Sequence, residues 1–277
     1  MLQHRDFSIG GILMGDSAKI SVRGVSKTFS RDGKSVLALD NVDLSVAEGE
    51  FLSIVGPSGC GKSTLLYMLG GFESPSTGKL SSGGKPITGP GLDRGVVFQE
   101  YALFPWLTVW ENIAYALKRK AVPDQQCKDI VARYVGIMGL TGFEQSFPRE
   151  LSGGMKQRVA LARTFAYEPD ILLLDEPFGA LDAQTREVMQ DELLRLWRIN
   201  RKTVVMVTHD VDEAVYLSNR VCVMSKRPGR FVEHFEINLD HSLTREQVVL
   251  SDEYRKIRNE VWVSVRQQVT QPAPAAV

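Results

Sequence analysis

An α/β fold with a largely parallel sheet is what this 277-residue sequence predicts, and two observations carry the prediction. First, the runs 51–55, 96–98, 171–174, 204–207 and 221–224 are short and almost wholly apolar. Strands read this way when both faces of their sheet are covered and neither meets water. Second, helical patterns lie between several of these runs, and strand alternating with helix places any ligand at the carboxyl ends of the strands.

The elements follow in order. Leu37, Leu39, Val42, Leu44 and Val46 alternate with mostly polar residues, the signature of strands wet on one face, and predict an antiparallel β part at the N-terminal side. A helix is expected over 62–69, stopped by Gly70-Gly71, because glycine enters the left-handed region that ends a helix without a Cβ clash. The stretch 101–166 has several helical patterns and no convincing strand, so it reads as a helical subdomain inserted into the α/β core. Met189, Leu193 and Leu196 fall on one helical face, with Asp191 and Arg195 expected to pair on the other. A last helix is expected over 251–265, with Tyr254, Ile257, Val261 and Val265 on its buried face.

These elements divide the chain into a loose leader (1–18), a core domain (19–240), a helical extension (241–270) and a low-complexity, disordered tail (271–277). No apolar stretch reaches the roughly 20 residues of a membrane span. Lys plus Arg and Asp plus Glu both number 33, so no overall field attracts nucleic acid. The three scattered cysteines have no metal-ligand spacing and suit a reducing compartment.

Chemistry enters at Gly56-Pro57-Ser58-Gly59-Cys60-Gly61-Lys62-Ser63-Thr64, which matches G-x-x-x-x-G-K-[ST] between an apolar strand and a helix. The glycines let backbone N–H groups turn onto phosphates, the helix end adds partial positive charge, and Lys62 bridges the terminal phosphates. That predicts a phosphate-loop core binding ATP, with the Ser63 hydroxyl as a hard-oxygen ligand for Mg²⁺. Asp175 ends a second buried strand, where its carboxylate can hold the Mg²⁺ water shell. Glu176 then faces the cleft, able to orient or deprotonate an attacking water. His209 follows the run 204–207 and so reaches the same sheet edge, while Asp210 and Glu213 read as a helix N-cap and its partner.

Together these motifs resemble the ATP-binding-cassette (ABC) ATPases over about residues 20–239, most specifically in Leu151-Ser152-Gly153-Gly154-Met155-Lys156-Gln157-Arg158, which looks like that family's signature loop. The resemblance implies a head-to-tail pair of identical chains. Each ATP would be held between one phosphate loop and the partner's signature loop, through Ser152, Gly153 and Gly154. It also implies that Gln99 senses Mg²⁺ and the γ-phosphate, that the segment ending in Asp182 is the D-loop, that His209 is the switch histidine, and that Phe29 stacks on adenine. Met155 stands where the family commonly has Gln.

A narrower resemblance, in 87–99 and in Leu103 to Ile113, is to the ATPase subunits of bacterial nitrate, sulfonate and taurine importers. It implies a peripheral ATPase on the cytoplasmic face of the inner membrane, working with membrane permease subunits and, indirectly, a solute-binding protein, but not with nucleic acid. An exporter ATPase, a nucleic-acid-linked ABC protein and a simple phosphate-loop kinase are the alternatives. For Tyr101, Phe104, Trp106 and Trp110 two readings stay open: core of the helical subdomain, or a groove receiving a permease helix.

Overall fold

The computed structural model describes residues 18–31 and 33–270; the expected leader up to residue 17 and the tail lie outside them. The chain begins with two long strands, β1 (Ala18–Arg31) and β2 (Lys34–Ala47), and enters the central sheet at β3 (Phe51–Val55). Helix α1 (Lys62–Gly70) leads to β4 (Thr77–Ser82), β5 (Lys85–Pro86) and β6 (Arg94–Val97). Helices α2 (Val109–Arg119), α3 (Asp124–Ile137) and α4 (Gly153–Ala166) precede β7 (Ile171–Asp175). Then come α5 (Ala183–Asn200), β8 (Thr203–Val207), α6 (Val211–Leu217), β9 (Arg220–Met224) and β10 (Phe231–Glu236). Helices α7 (Arg245–Val249) and α8 (Asp252–Thr270) end the described chain.

Two sheets result. One is antiparallel, in the order β2-β1-β4-β5; the other has six strands in the order β10-β9-β3-β8-β7-β6. The pairs β6–β7, β7–β8, β8–β3 and β3–β9 are parallel, and β10 joins β9 antiparallel. The six-stranded sheet separates two apolar cores, and its side chains alternate between them. Phe51, Leu172, Leu174, Val204 and Met206 face one core, with the helical residues Ile113, Val159, Leu193 and Val261. Leu52, Ile54, Ile171, Leu173, Val205 and Val207 face the other, against α1 and the antiparallel sheet. Period-two alternation between two dry faces is why these strands read as unbroken apolar runs.

Three local expectations need correction. Leu37 is exposed, because irregular register between β1 and β2 and a left-handed Asn41 interrupt the alternation, which holds only from Val42 to Val46. Asp191 and Arg195 do not pair: Arg195 grips Glu192, three residues away, at 2.6 Å, while Asp191 receives Arg245 at 2.7 Å. Asp210 does cap α6, accepting from the Asp212 and Glu213 amides, but the Glu213 side chain turns inward instead of reaching back to the cap.

Candidate active site

The fully buried β3 delivers the chain into the loop 56–61 beneath α1, and the two glycines that bound this loop are required by its packing. A Cβ on Gly56 would lie 2.6 Å from the Met224 carbonyl oxygen. One on Gly61, where φ is +108°, would lie 2.6 Å from Leu39. Both approaches are too close for any side chain. Lys62 is buried, and its Nζ donates to the carbonyls of Gly56 at 2.8 Å and Pro57 at 3.1 Å, drawing the ammonium across the loop. Pro57, Ser58 and Gly59 form the outer rim, Cys60 is buried under it, and Thr64 lies half-buried in the first turn of α1. Burial pushes the Cys60 thiol up, with the Lys62 charge opposing.

Asp175, at the carboxyl end of β7, is fully buried, and Ser63 Oγ donates to its Oδ1 at 3.0 Å. Its other oxygen, Oδ2, is buried without a hydrogen-bond partner; the Tyr67 hydroxyl is close but outside hydrogen-bonding geometry. Burial raises the Asp175 pKa, and the neighbouring Tyr67 and Ser63 hydroxyls act against that rise. An orphaned carboxylate oxygen beside a hydroxyl is a hard-oxygen pair of the kind Mg²⁺ takes.

Glu176 leaves the strand in the left-handed region, at φ +47°, anchored by its amide on the Val207 carbonyl at 2.9 Å. This places its Oε2 at the meeting point of two side chains from separate strand ends. Gln99 Nε2 lies 3.3 Å away, just past β6, and His209 Nδ1 lies 3.3 Å away, just past β8. The three residues converge because β6, β7 and β8 are adjacent, parallel and in register at their carboxyl ends.

The remaining predicted residues lie elsewhere. Ser152 caps α4 through the Met155 amide, leaving the first amides of that helix at its open end. The Gly153 and Gly154 positions are tight: a Cβ would sit 3.3 Å from the Tyr101 hydroxyl and from Leu181, respectively. Asp182 caps α5 through the Thr185 amide, and that bond holds its carboxyl below the usual range. Phe29 is 40% exposed on β1, with the Lys27 ammonium 4.9 Å from the ring centroid. Among the described residues no hydrogen bond joins Ser152, Gly153, Gly154, Asp182 or Phe29 to the phosphate loop.

Sequence reading passes over two further groups, Asn112 and Arg163, and gives a third, Glu213, a different role. Buried Asn112 accepts from the Phe104 amide and donates to the carbonyls of Phe104, Leu107 and Thr108, stitching the turn after Gln99 onto α2. Arg163 reaches from α4 to the carbonyls of Ala102 at 2.7 Å and Tyr101 at 3.2 Å, two residues with positive φ. Glu213 accepts from Thr208 at 2.6 Å and Gln190 at 3.0 Å, and so braces the backbone next to His209; Gln190 in turn accepts from Arg245. The Thr108-x-x-Glu111 capping box is a local hint of where that turn ends, but nothing local marks Asn112 or Arg163.

Of the aromatic cluster, Tyr101 and Trp110 pack against the core. Trp106 is 70% exposed and Phe104 half-buried; Phe104 lies 4.4 Å from the ring of Tyr115, which is also exposed. The cluster therefore splits, with two rings inward and a small apolar surface outward.

Residues 39–179 match the ABC transporter family. An ABC transporter ATP-binding protein of Methanocaldococcus jannaschii is 49% identical over 241 residues, covering 87% of this chain and 90% of the relative. The aliphatic sulfonates import ATP-binding protein SsuB of Bacillus cereus is 46% identical over 242 residues, covering 87% and 94%. A solved ATP-binding cassette, captured as a dimer in a post-hydrolysis state with ADP and phosphate, superposes with a TM-score of 0.73 at 33% identity, over 79% of this chain and 99% of that one. The chain belongs to the ABC transporter family, as an ATP-binding, ATP-hydrolysing subunit.

Proposed function

We propose that this ATPase energises a bacterial importer of small oxyanions or organosulfur solutes, of the nitrate, sulfonate or taurine type. The observation that carries the catalytic part is the convergence of Gln99 and His209 on one Glu176 oxygen beside Asp175 and the phosphate loop. The 46% identity to a sulfonate-import ATPase supports the solute class.

In this reading the loop 56–61 and Lys62 cradle the ATP phosphates, Phe29 stacks on the adenine, and Ser63, Asp175 and Gln99 would hold Mg²⁺, a hard cation that offsets charge on the phosphates. Glu176 orients the attacking water and takes its proton while His209 positions Glu176. Oxygen bonds to the γ-phosphorus, the bond to the ADP oxygen breaks, and ADP and phosphate leave. Ser152, Gly153 and Gly154 of a second copy close over the nucleotide, with Asp182 at the shared face. Residues 19–240 form the working unit, 101–166 its permease-facing part and 241–270 an extension. Trp106, Phe104 and Tyr115 supply the surface for the permease, which keeps the chain at the cytoplasmic face of the membrane; no helix among the described residues is long and apolar enough to cross it.

Reconstitution tests the proposal. The complex purified with its permease, in vesicles with its solute-binding protein, should accumulate labelled nitrate or a sulfonate only with ATP. ATP-driven accumulation of neither anion would overturn the solute class, and nucleic-acid-stimulated turnover without the permease would overturn the transport role.

A further inference from the structure

Away from the phosphate loop, a cavity of about 570 Å³ opens between the end of α5, α6 and the segment leading into α7. Four arginines line it: Arg195, Arg198 and Arg201 from α5 and its cap, and Arg245 at the start of α7. Two of these charges are already matched. Arg195 is paired with Glu192, and Arg245 with Asp191, which also accepts from the Tyr216 hydroxyl at 2.8 Å. Arg198 and Arg201 have no carboxylate within ion-pair distance among the described residues. Nearby Asp240 is exposed; the Ser242 amide, first, and the Arg198 charge, to a lesser degree, hold its carboxyl below the usual range, without an ion pair to Arg198.

These two guanidinium groups, which make no ion pair among the described residues, are nonetheless held in place. Arg198 donates to the His241 carbonyl at 2.5 Å, and the Arg201 guanidinium lies 4.8 Å from the Trp197 ring centroid. Each retains further N–H donors, and a guanidinium fork matches two oxygens of one anion. Beside the arginines, the wall carries Asp191, already occupied by Arg245 and Tyr216, and an apolar part made of Leu194, Ile199 and Leu243, with the Tyr216 ring stacked under Arg245 at 4.2 Å. His241, also in the wall, has its Nδ1 buried without a partner. Surplus fixed cations over apolar walls, in a cavity within the roughly 300–1,000 Å³ of small-molecule sites, call for a ligand with one charged end and one greasy end.

We infer that this cavity is a second binding site, distinct from the ATP site, for a small organic anion whose phosphate, sulfonate or carboxylate head is held by Arg198 and Arg201. The apolar body of that ligand lies on Leu194, Ile199 and Leu243.

Calorimetry with phenyl phosphate tests this, on the full chain saturated with MgADP so that the phosphate loop is already filled. One equivalent should bind saturably, about tenfold more tightly than inorganic phosphate, because burying a ring adds apolar contact. The double variant Arg198→Gln/Arg201→Gln should weaken binding about tenfold or more, whereas Lys118→Gln on distant α2 should not. Both arginines are exposed, so the variant's melting temperature in the absence of probe is expected to match the parent's. The His241 ring resonances should shift on titration in the parent and not in the variant. No saturable heat up to about 10 mM probe, equal affinity for the two phosphates, or undiminished binding by the folded double variant would each overturn the assignment.

Discussion

The His209 imidazole rests 3.3 Å from the Glu176 carboxylate, although α5 and β8 both lie between them in the chain. Such a pair forms only because the two strand ends are neighbours in the sheet. It gives the carboxylate a fixed orientation at the carboxyl edge of the sheet. Glu176→Gln should therefore slow ATP turnover by about 10²- to 10⁴-fold, or roughly 3–5 kcal/mol of barrier, while ATP binding stays intact. Steady-state hydrolysis alongside fluorescent-nucleotide titration checks both halves, and a fully active variant would remove Glu176 from the chemistry.

The Ser63–Asp175 pair makes a separate prediction. Asp175→Asn and Ser63→Ala should each raise the Mg²⁺ concentration needed for half-maximal turnover, and chelation should stop turnover in the parent. Activity measured across a Mg²⁺ series decides this, and an unchanged requirement in both variants would place the metal elsewhere.

Ser152→Glu puts a carboxylate at the open end of α4, where an incoming phosphate would need amide donors. If that end closes over a partner's nucleotide, the variant should lose ATP-dependent dimerisation, seen by light scattering in the Glu176→Gln background, while each monomer still binds ATP. Retained dimers would contradict the signature-loop role.

Glu213 gives a pH signature. Burial raises its pKa above the usual glutamate value of 4.5, and the hydrogen bonds from Thr208 and Gln190 offset this only in part. A raised folded-state pKa means a stabilising contribution that is complete below about pH 4.5 and is lost as pH rises through the folded value. Urea unfolding from pH 4.5 to 8 should show the parent losing stability relative to Glu213→Gln over that rise, then holding level. A pH-independent difference would mean that Glu213 ionises as it does when unfolded.

Asn112→Ala removes four hydrogen bonds from the turn after Gln99 and leaves buried backbone groups unpaired, at about 1–3 kcal/mol each when they stay dry. The expected loss is about 2–4 kcal/mol in urea unfolding, with permease-stimulated turnover falling more than basal turnover. Equal loss of both activities would assign Asn112 to stability alone.

The sheet and the residues at its carboxyl edge were legible because each is announced locally: an apolar run, then a glycine loop, a carboxylate pair or a histidine. Gln99, Asp182 and Phe29 have no such local mark and came into view only through family likeness. What stayed hidden depends on distant partners. Asp191 looks ready for Arg195 on a helical wheel, yet Arg245, far along the chain, claims it, and Glu192 offers Arg195 a nearer partner. Glu213 resembles a cap partner until Thr208 and Gln190 draw it inside. Asn112 is one polar letter on a helix whose role is set by a turn that folds back over it.

The turn between Gln99 and α2 is tied at both ends, by Arg163 to Tyr101 and Ala102 and by Asn112 to Phe104, Leu107 and Thr108. It behaves mechanically as a stiff link and not as a hinge. A shift of Gln99 by a fraction of an ångström has little slack to absorb it before it reaches the indole of Trp106.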